Sequence, residues 1–187
     1  MLDCGARGAR SSSMKRTAIA YWLIPAEPAR TFLEKMIGDL ARRYNASVFE
    51  PHTTIYVGSD RADAEGVIAK ALCCCGAIEA KVLDVCHTVE FTKALFVKLA
   101  LNQQLQRLNE IIRSAAQNSS GYQLDPHVSL LYKKMSTVGR QELARSIKLP
   151  FSEIPFDSIK AVRCASPTRN RADVEAWRVV VAKSLAE

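Results

Sequence analysis

The stretch PHTTIYV, residues 51–57, has a near copy at residues 126–132, PHVSLLY. Both begin with Pro-His and continue in the pattern H-x-[Thr/Ser]-apolar, so they contain two of the three histidines of the chain, His52 and His127. Their β-branched and aromatic residues predict strands. Residues two positions apart on a strand point to the same face. We therefore expect each histidine to share a face with the hydroxyl residue two positions later, Thr54 or Ser129, while the residues between and after them face the core.

The segments that surround the two motifs repeat one order of elements. The first half predicts a strand (17–24), a helix (28–44), the motif, a helix (60–75) and a strand (78–86). The second half predicts a strand (94–101), a helix (102–118), the motif, a helix capped by Ser136 and ending near 148, and strands over 154–164 and 174–182. The first strand precedes the histidine by 35 residues in one half (17 to 52) and by 33 in the other (94 to 127). The agreement in order and spacing indicates a duplication.

The duplication predicts an α+β fold with two pseudo-symmetric lobes. Each lobe is expected to be an antiparallel β-sheet with helices on its outer face, and the active-site cleft would lie between the lobes. We predict a single bilobal domain over 15–187, with lobes of about 15–91 and 92–187, and a disordered tail over 1–14.

Charge and composition favour a small anionic ligand. The 187 residues have a formal net charge of +7, but residues 1–16 contribute +3 (four basic residues against Asp3), which leaves +4 for the remainder. A surplus of this size suits a small anionic nucleotide substrate, and RNA is the less favoured partner. No apolar stretch approaches the roughly 20 residues of a membrane-spanning helix. We expect no membrane association and a monomeric, cytoplasmic protein.

The cysteines and histidines predict no metal site and no cofactor. Six cysteines occur without a C-x-x-C pair, which is typical of reduced thiols. Three of them, Cys73, Cys74 and Cys75, are consecutive on a predicted helix, where side chains fan out by about 100° and cannot converge on one ion. We expect them to be buried as small hydrophobic residues. His87, outside both motifs, is predicted to be structural, and no H-E-x-x-H motif occurs.

The residues of the two motifs together predict acid–base chemistry at phosphorus. Two imidazoles at one cavity can take a proton from water and give a proton to a leaving oxygen near neutral pH. Two hydroxyl groups can donate hydrogen bonds to phosphoryl oxygens without adding charge. The sequence does not decide which histidine is the base.

These features resemble the two-histidine (2H) phosphoesterase superfamily over residues 15–185. The motif at residues 127–132 and the late Glu175-Ala176-Trp177 are similar to those of the plant and yeast-type cyclic phosphodiesterases. The resemblance implies metal-independent hydrolysis of ADP-ribose 1″,2″-cyclic phosphate, a by-product of tRNA splicing, or of nucleoside 2′,3′-cyclic phosphates. It also implies that Tyr132 and Trp177 line the substrate cleft.

Two other functions remain open from the sequence. One is an RNA-end processing enzyme of the 2′-5′ RNA ligase or RNA-trimming type, which would need a basic track leading from the cleft. Its candidate residues are Lys133, Lys134, Arg163, Arg169 and Arg171. The other is a non-catalytic nucleotide-binding module, against which the two complete motifs argue.

Overall fold

The computed structural model describes residues 16–74, 76–117 and 120–185. Within these ranges the chain forms seven strands, five α-helices and one 3₁₀ turn. They are β1 (Arg16–Pro25), α1 (Ala29–Tyr44), β2 (Thr53–Ser59), α2 (Ala64–Cys74), β3 (Ile78–Cys86), the 3₁₀ turn (Phe91–Lys93), β4 (Leu95–Leu99), α3 (Gln103–Ala115), β5 (His127–Leu131), α4 (Thr137–Ser146), β6 (Glu153–Ser166), α5 (Arg171–Glu175) and β7 (Arg178–Ser184). The tail predicted over 1–14 lies outside the described residues.

The strands form one antiparallel sheet in the order β2-β1-β6-β3-β4-β5, and β7 also pairs with β6. β6 joins the two lobes, because β1 runs along one side of it while β3 and β7 pair with successive parts of the other side. Strands of the two sequence halves are exchanged: β1 pairs with β6, and β3 pairs with β4. The predicted α+β class with antiparallel lobes is confirmed. The boundary near residue 91 divides the sequence repeats but not the lobes. One lobe contains β1 and β2 from the first half with β6 and β7 from the second, and the other contains β3 from the first half with β4 and β5 from the second.

The helices cover one face of the sheet and leave the other face for the cleft. The main core lies on the helix face, where alternate strand residues such as Tyr21, Ile55 and Val128 are fully buried. Burying a large apolar side chain contributes roughly 1.5–3 kcal/mol, so this face carries most of the hydrophobic stabilisation. α1 packs against β5 and α3 against β2, so the helices support the two strands that bear the motifs. A smaller cluster, Ala20, Trp22, Ile24 and Val162, lies on the opposite face.

One helix was absent from the sequence-based prediction. The sequence predicted no element between the strands 154–164 and 174–182, whereas the structure has α5 before β7. The side chain of Asn170 caps this helix by accepting a hydrogen bond from the Asp173 amide at 3.1 Å. The Asp173 carboxylate accepts from the Arg169 amide at 2.9 Å. The spacing of Asn170 and Asp173, which resembles a capping box, was the available signal. The predicted cap of α4 by Ser136 is confirmed.

The prediction that the cysteine triplet is buried was wrong for Cys73 and Cys74. Cys73 and Cys74 are exposed at the end of α2, because the buried stripe of this helix consists of Ala64, Val67, Ile68 and Ala71. Cys4 and Cys75 lie outside the described residues. None of the described helices has the length and apolar character required to cross a membrane.

Candidate active site

A cavity of about 300 Å³ opens on the face of the sheet opposite the main core. All six predicted site residues line it: His52, Thr54, His127, Ser129, Tyr132 and Trp177. The lining also includes residues that the sequence did not single out, among them Trp22, Thr92, Lys93, Tyr122 and Cys164.

The duplication extends to irregularities in the strands that carry the motifs. The β1–β2 pairing shifts so that Tyr56 and Thr54 face consecutive residues of β1, which leaves Ile55 as an extra residue. The β4–β5 pairing shifts in the same way around Leu130. Such bulges redirect neighbouring side chains. Both occur at the apolar fourth position of the motif, so each histidine and hydroxyl pair is presented to the cavity by the same local geometry.

Each imidazole is held by the carbonyl group two residues before it. The Nδ1–H of His52 donates to the Glu50 carbonyl oxygen at 2.7 Å, and that of His127 donates to the Asp125 carbonyl oxygen at 2.6 Å. A carbonyl oxygen can only accept, so Nδ1 carries the proton in both neutral rings. Nε2 is therefore the atom available for proton transfer in both histidines.

His52 lies in an aromatic surrounding. Its ring stacks on Trp22, with centroids 3.7 Å apart, and meets Trp177 and Phe49 edge-on at 5.8 and 6.3 Å. The pKa of His52 is lowered to about 4, mainly by burial, with smaller contributions from the nearby His127 and Lys160, while the hydrogen bond to Glu50 opposes the shift. His52 is consequently neutral at neutral pH.

His127 is half-buried, and charged groups that raise its pKa lie near it together with groups that lower it. Burial lowers its pKa below the ordinary value, and the Lys93 ammonium group acts in the same direction. The carboxylates of Asp125 and Glu90 and the hydrogen bond to the Asp125 carbonyl oppose this decrease. The edge of the Phe96 ring contacts His127 at 5.4 Å. Compared with His52, this imidazole has carboxylates close enough to stabilise its protonated form.

The two hydroxyl residues differ in their bonding. The Ser129 hydroxyl donates to the Thr92 carbonyl oxygen at 2.7 Å, which ties β5 to the 3₁₀ turn. The Thr54 hydroxyl forms no hydrogen bond with the residues in the described ranges, although the Thr54 carbonyl accepts from the Tyr122 hydroxyl at 2.9 Å. The Thr54 hydroxyl is thus free to donate to a ligand, while Ser129 would have to turn away from Thr92.

Tyr132 and Trp177 form one wall of the cavity. Tyr132 is buried and stacks on Phe49 with centroids 4.0 Å apart. Burial raises the pKa of its phenol, which a hydrogen bond to Ser129 partly opposes. Trp177 lies directly before β7 and contacts Tyr132 edge-on at 5.9 Å. Its Nε1–H is buried without a hydrogen-bond partner in the part of the chain that the structure describes.

The basic residues that the RNA-end alternative would need do not line the cavity. None of its five candidates (Lys133, Lys134, Arg163, Arg169, Arg171) is a lining residue, and Lys93 is the only lysine or arginine that lines the cavity in the described ranges. Lys93 forms an ion pair with Asp125. His87 does not line the cavity, and its buried Nδ1 has no partner among the described residues.

The lining residues that were missed differ in whether the sequence carried a signal. Trp22 could have been found from the alternation of β1, which places it on the face of Ala20 and Ile24 and opposite Thr54. Lys93 and Tyr122 lie in connecting segments whose path a strand pattern does not predict. No group of three or more His, Cys, Asp and Glu side chains suited to a metal ion occurs among residues 16–74, 76–117 and 120–185.

Comparison with known proteins gives one family and a set of similar structures. The family model described as cyclic phosphodiesterase-like protein matches residues 17–185. No curated protein matches significantly in sequence. Escherichia coli LigT in its apo form aligns with 94% of this chain and 100% of its own, at 12% identity and a TM-score of 0.55. LigT complexed with 3′-AMP aligns with 91% and 99%, at 11% identity and a TM-score of 0.57. A structure described as a phosphoesterase gives 91% and 99%, 12% identity and a TM-score of 0.55.

Proposed function

The chain belongs to the cyclic phosphodiesterase-like family of the 2H phosphoesterases, and from that membership we propose that it opens cyclic phosphodiesters on a nucleotide or ribose. The substrates we propose are ADP-ribose 1″,2″-cyclic phosphate and nucleoside 2′,3′-cyclic phosphates, each hydrolysed to a phosphomonoester. One observation carries the proposal: two imidazoles, fixed in the same tautomer by equivalent hydrogen bonds, line one cavity together with two hydroxyl groups.

In the proposed reaction water is the nucleophile. One histidine takes a proton from water at Nε2 as the water oxygen forms a bond to phosphorus. The bond from phosphorus to one ribose oxygen breaks, and the other histidine gives that oxygen its Nε2 proton. Thr54 donates a hydrogen bond to a non-bridging oxygen as negative charge increases there. The ring strain of a five-membered phosphodiester supplies part of the driving force.

We assign the base to His52 and the acid to His127. When the pair holds a single proton, the proton resides mainly on the group of higher affinity. Burial, His127 and Lys160 all disfavour a charged His52, whereas Asp125 and Glu90 favour a charged His127. The dominant singly protonated form therefore has a neutral His52 and an imidazolium at His127.

The cavity favours a nucleotide over a polynucleotide. Its volume is about 300 Å³, and Lys93, the one lysine that lines it among the described residues, is already paired with a carboxylate. Among the track candidates, Arg171 is paired with Glu175, and Lys133 donates to the Asn45 carbonyl oxygen at 3.4 Å. The complex of E. coli LigT with 3′-AMP supports a ligand of nucleotide size in this fold. A dependence of RNA affinity on salt with a log–log slope of several units would favour the RNA-end alternative instead.

We further propose that the protein acts as a cytoplasmic monomer on a by-product of tRNA splicing. The cysteines of the described residues are free thiols, as a reducing compartment favours.

The test is turnover of both substrate types in excess chelator. We expect hydrolysis of the cyclic ester, one new phosphomonoester signal by ³¹P NMR, and no activation by added divalent ions. The matched control is the double variant His52→Asn/His127→Asn, which should bind nucleotide without turnover. Binding without turnover in the wild-type protein would instead indicate a nucleotide-binding module. Loss of activity on chelation, restored by zinc or manganese, would replace the two-histidine mechanism with a metal-dependent one.

A further inference from the structure

We propose that Lys160 and Glu50 form a clamp that positions His52 by holding the residue whose backbone carbonyl orients its imidazole. This inference rests on the proposed function, because it concerns how the same histidine is kept ready for proton transfer. Neither Lys160 nor Glu50 lines the cavity. They are therefore positioning residues and do not act on the substrate.

The first part of the clamp is the ion pair between Lys160 and Glu50. Lys160 lies in β6 directly opposite Trp22 of β1, so the two side chains project from the same face of the sheet. Its ammonium group contacts the Glu50 carboxylate at 2.5 Å, and the two side chains are 21% and 32% exposed. Partial burial and a short separation make this pair stronger than an exposed surface pair.

The second part of the clamp is the segment Glu50-Pro51-His52. The Glu50 carbonyl accepts the hydrogen bond from Nδ1–H of His52. Pro51 restricts Glu50 to extended conformations. With the side chain of Glu50 anchored to Lys160, its backbone carbonyl is fixed in place. Nδ1 then retains its proton and Nε2 retains its lone pair.

The other motif repeats the arrangement with different residues. In Asp125-Pro126-His127 the Asp125 carbonyl holds Nδ1 of His127, and the Asp125 carboxylate pairs with Lys93. An acid-Pro-His segment with a lysine on its carboxylate thus occurs at both histidines. The two lysines come from unrelated positions, β6 and the 3₁₀ turn, so the duplication does not by itself account for the repeat.

The orientation of an imidazole matters because a ring in the wrong tautomer presents N–H where the reaction needs a lone pair. Outer groups that orient a functional histidine are worth about 10–100-fold in metal sites. Lys160 also has a direct electrostatic effect, since its charge disfavours protonation of His52. A purely electrostatic role would move a limb of the pH profile. If the two residues position His52, their substitution would instead lower the plateau value of kcat and give a mixture of the two neutral His52 tautomers.

The experiment compares Lys160→Met, Glu50→Gln, the double variant and Lys160→Arg, with Arg42→Met as the matched control. Arg42→Met removes the exposed pair between Arg42 and Asp39, neither of which lines the cavity. We expect kcat at the pH plateau to fall about tenfold in each single variant, with KM changed less than about twofold. The double variant should be no slower than the singles, because the two residues act as one unit. Lys160→Arg should recover most of the loss, since a guanidinium group also pairs with a carboxylate.

A second measurement tests the clamp without turnover. Long-range ¹H–¹⁵N correlation spectra of the histidine rings should show Nδ1–H alone for neutral His52 in the wild type and in Arg42→Met. Lys160→Met and Glu50→Gln should show a mixture with Nε2–H. Unchanged kcat plateaus, an equal loss in Arg42→Met, or an unmixed His52 tautomer in both variants would each overturn the clamp. A wild-type protein that turns over no cyclic phosphodiester would refute the proposed function, while the spectra would still decide the clamp.

Discussion

Trp22 and His52 stack face to face, with ring centroids 3.7 Å apart and planes inclined by 15°. Trp22 lies on β1 opposite Thr54, the hydroxyl partner of His52 in the motif. In the second motif, Phe96 of β4 lies opposite Ser129 and contacts His127 edge-on. Each motif histidine therefore contacts the aromatic residue that faces its own hydroxyl partner. The closer of the two contacts is at His52, which is also the more deeply buried histidine.

The first prediction concerns stability in acid. The pKa of His52 is about 4 in the folded protein, below its unfolded value near 6.5, so the unfolded state binds the proton more readily. The contribution of neutral His52 to the free energy of unfolding is therefore fully present above pH 6.5, and it is lost as the pH falls from 6.5 toward 4. The loss should reach about 3 kcal/mol, because one pKa unit corresponds to about 1.4 kcal/mol. Urea unfolding of the wild type between pH 7.5 and 4 measures it.

The control for this prediction is His52→Asn. That variant lacks the titrating group and should lose about 3 kcal/mol less than the wild type over the same pH range. Parallel curves for the two proteins would mean that His52 does not carry the acid sensitivity.

The second prediction concerns the motif histidines. His52→Ala and His127→Ala should each remove most of the activity while the protein remains folded. The double variant should be little slower than either single one, since groups that act as a unit are non-additive. Near wild-type kcat in either single variant, measured on the same cyclic nucleotide, would exclude that histidine from the mechanism.

The third prediction separates the acid from the base. A cyclic phosphorothiolate, in which the leaving atom is sulfur, needs little proton donation because a thiolate is a good leaving group. His127→Ala should recover much of its lost activity on this substrate, whereas His52→Ala should not, because water still needs a base. Recovery in His52→Ala alone would reverse the assignment.

The fourth prediction distinguishes the hydroxyl groups. Thr54→Ala should cost about 2–4 kcal/mol of transition-state stabilisation, as the loss of an oxyanion-type donor does. Ser129→Ala should cost less in catalysis, because the Ser129 hydroxyl must first give up its bond to the Thr92 carbonyl. Thr54→Ser, which keeps the donor, is the control for Thr54→Ala. Equal losses of kcat/KM in Thr54→Ala and Ser129→Ala would show that Ser129 also donates in the transition state.

The sequence predicted the strands of the motifs and their shared face well, because period-2 alternation is a local property. His52, Thr54, His127 and Ser129 line one cavity as that alternation requires. The sequence could not predict that strands from different halves of the chain pair with each other. Whether β1 pairs with β6 depends on contacts about 140 residues apart in sequence (Trp22 to Lys160), and no local pattern encodes them.

The parts of the site that come from loops were also not predictable. Lys93 and Tyr122 reach the cavity from connecting segments, and their positions depend on the packed lobes. The bulges at Ile55 and Leu130 have no signal in a single sequence, since no glycine marks them. The burial of Cys73 and Cys74 was wrongly predicted because a small apolar residue near a helix end is exposed or buried according to the rotation of the helix, which only packing decides.

The last prediction is the pH dependence of turnover. The kcat/KM profile reports the free protein. It should be a bell whose acid limb lies near the pKa of His52, about 4, and whose alkaline limb lies below 6.5, because burial and Lys93 lower the pKa of His127. The pH of its maximum should thus lie on the acid side of neutral, below the pH that two unperturbed imidazoles would give.

The kcat profile reports the complex with substrate, and it should be displaced to higher pH. A bound phosphodiester brings a negative charge next to both rings, which favours their protonated forms and raises both pKa values. The limbs belong to the coupled pair of histidines, so Thr54→Ala should lower the height of both bells without moving them. Profiles of kcat and kcat/KM for the wild type and Thr54→Ala between pH 3.5 and 10 supply the comparison. A rate that rises steadily to pH 10 cannot depend on a protonated histidine, and it would remove His127 as the acid.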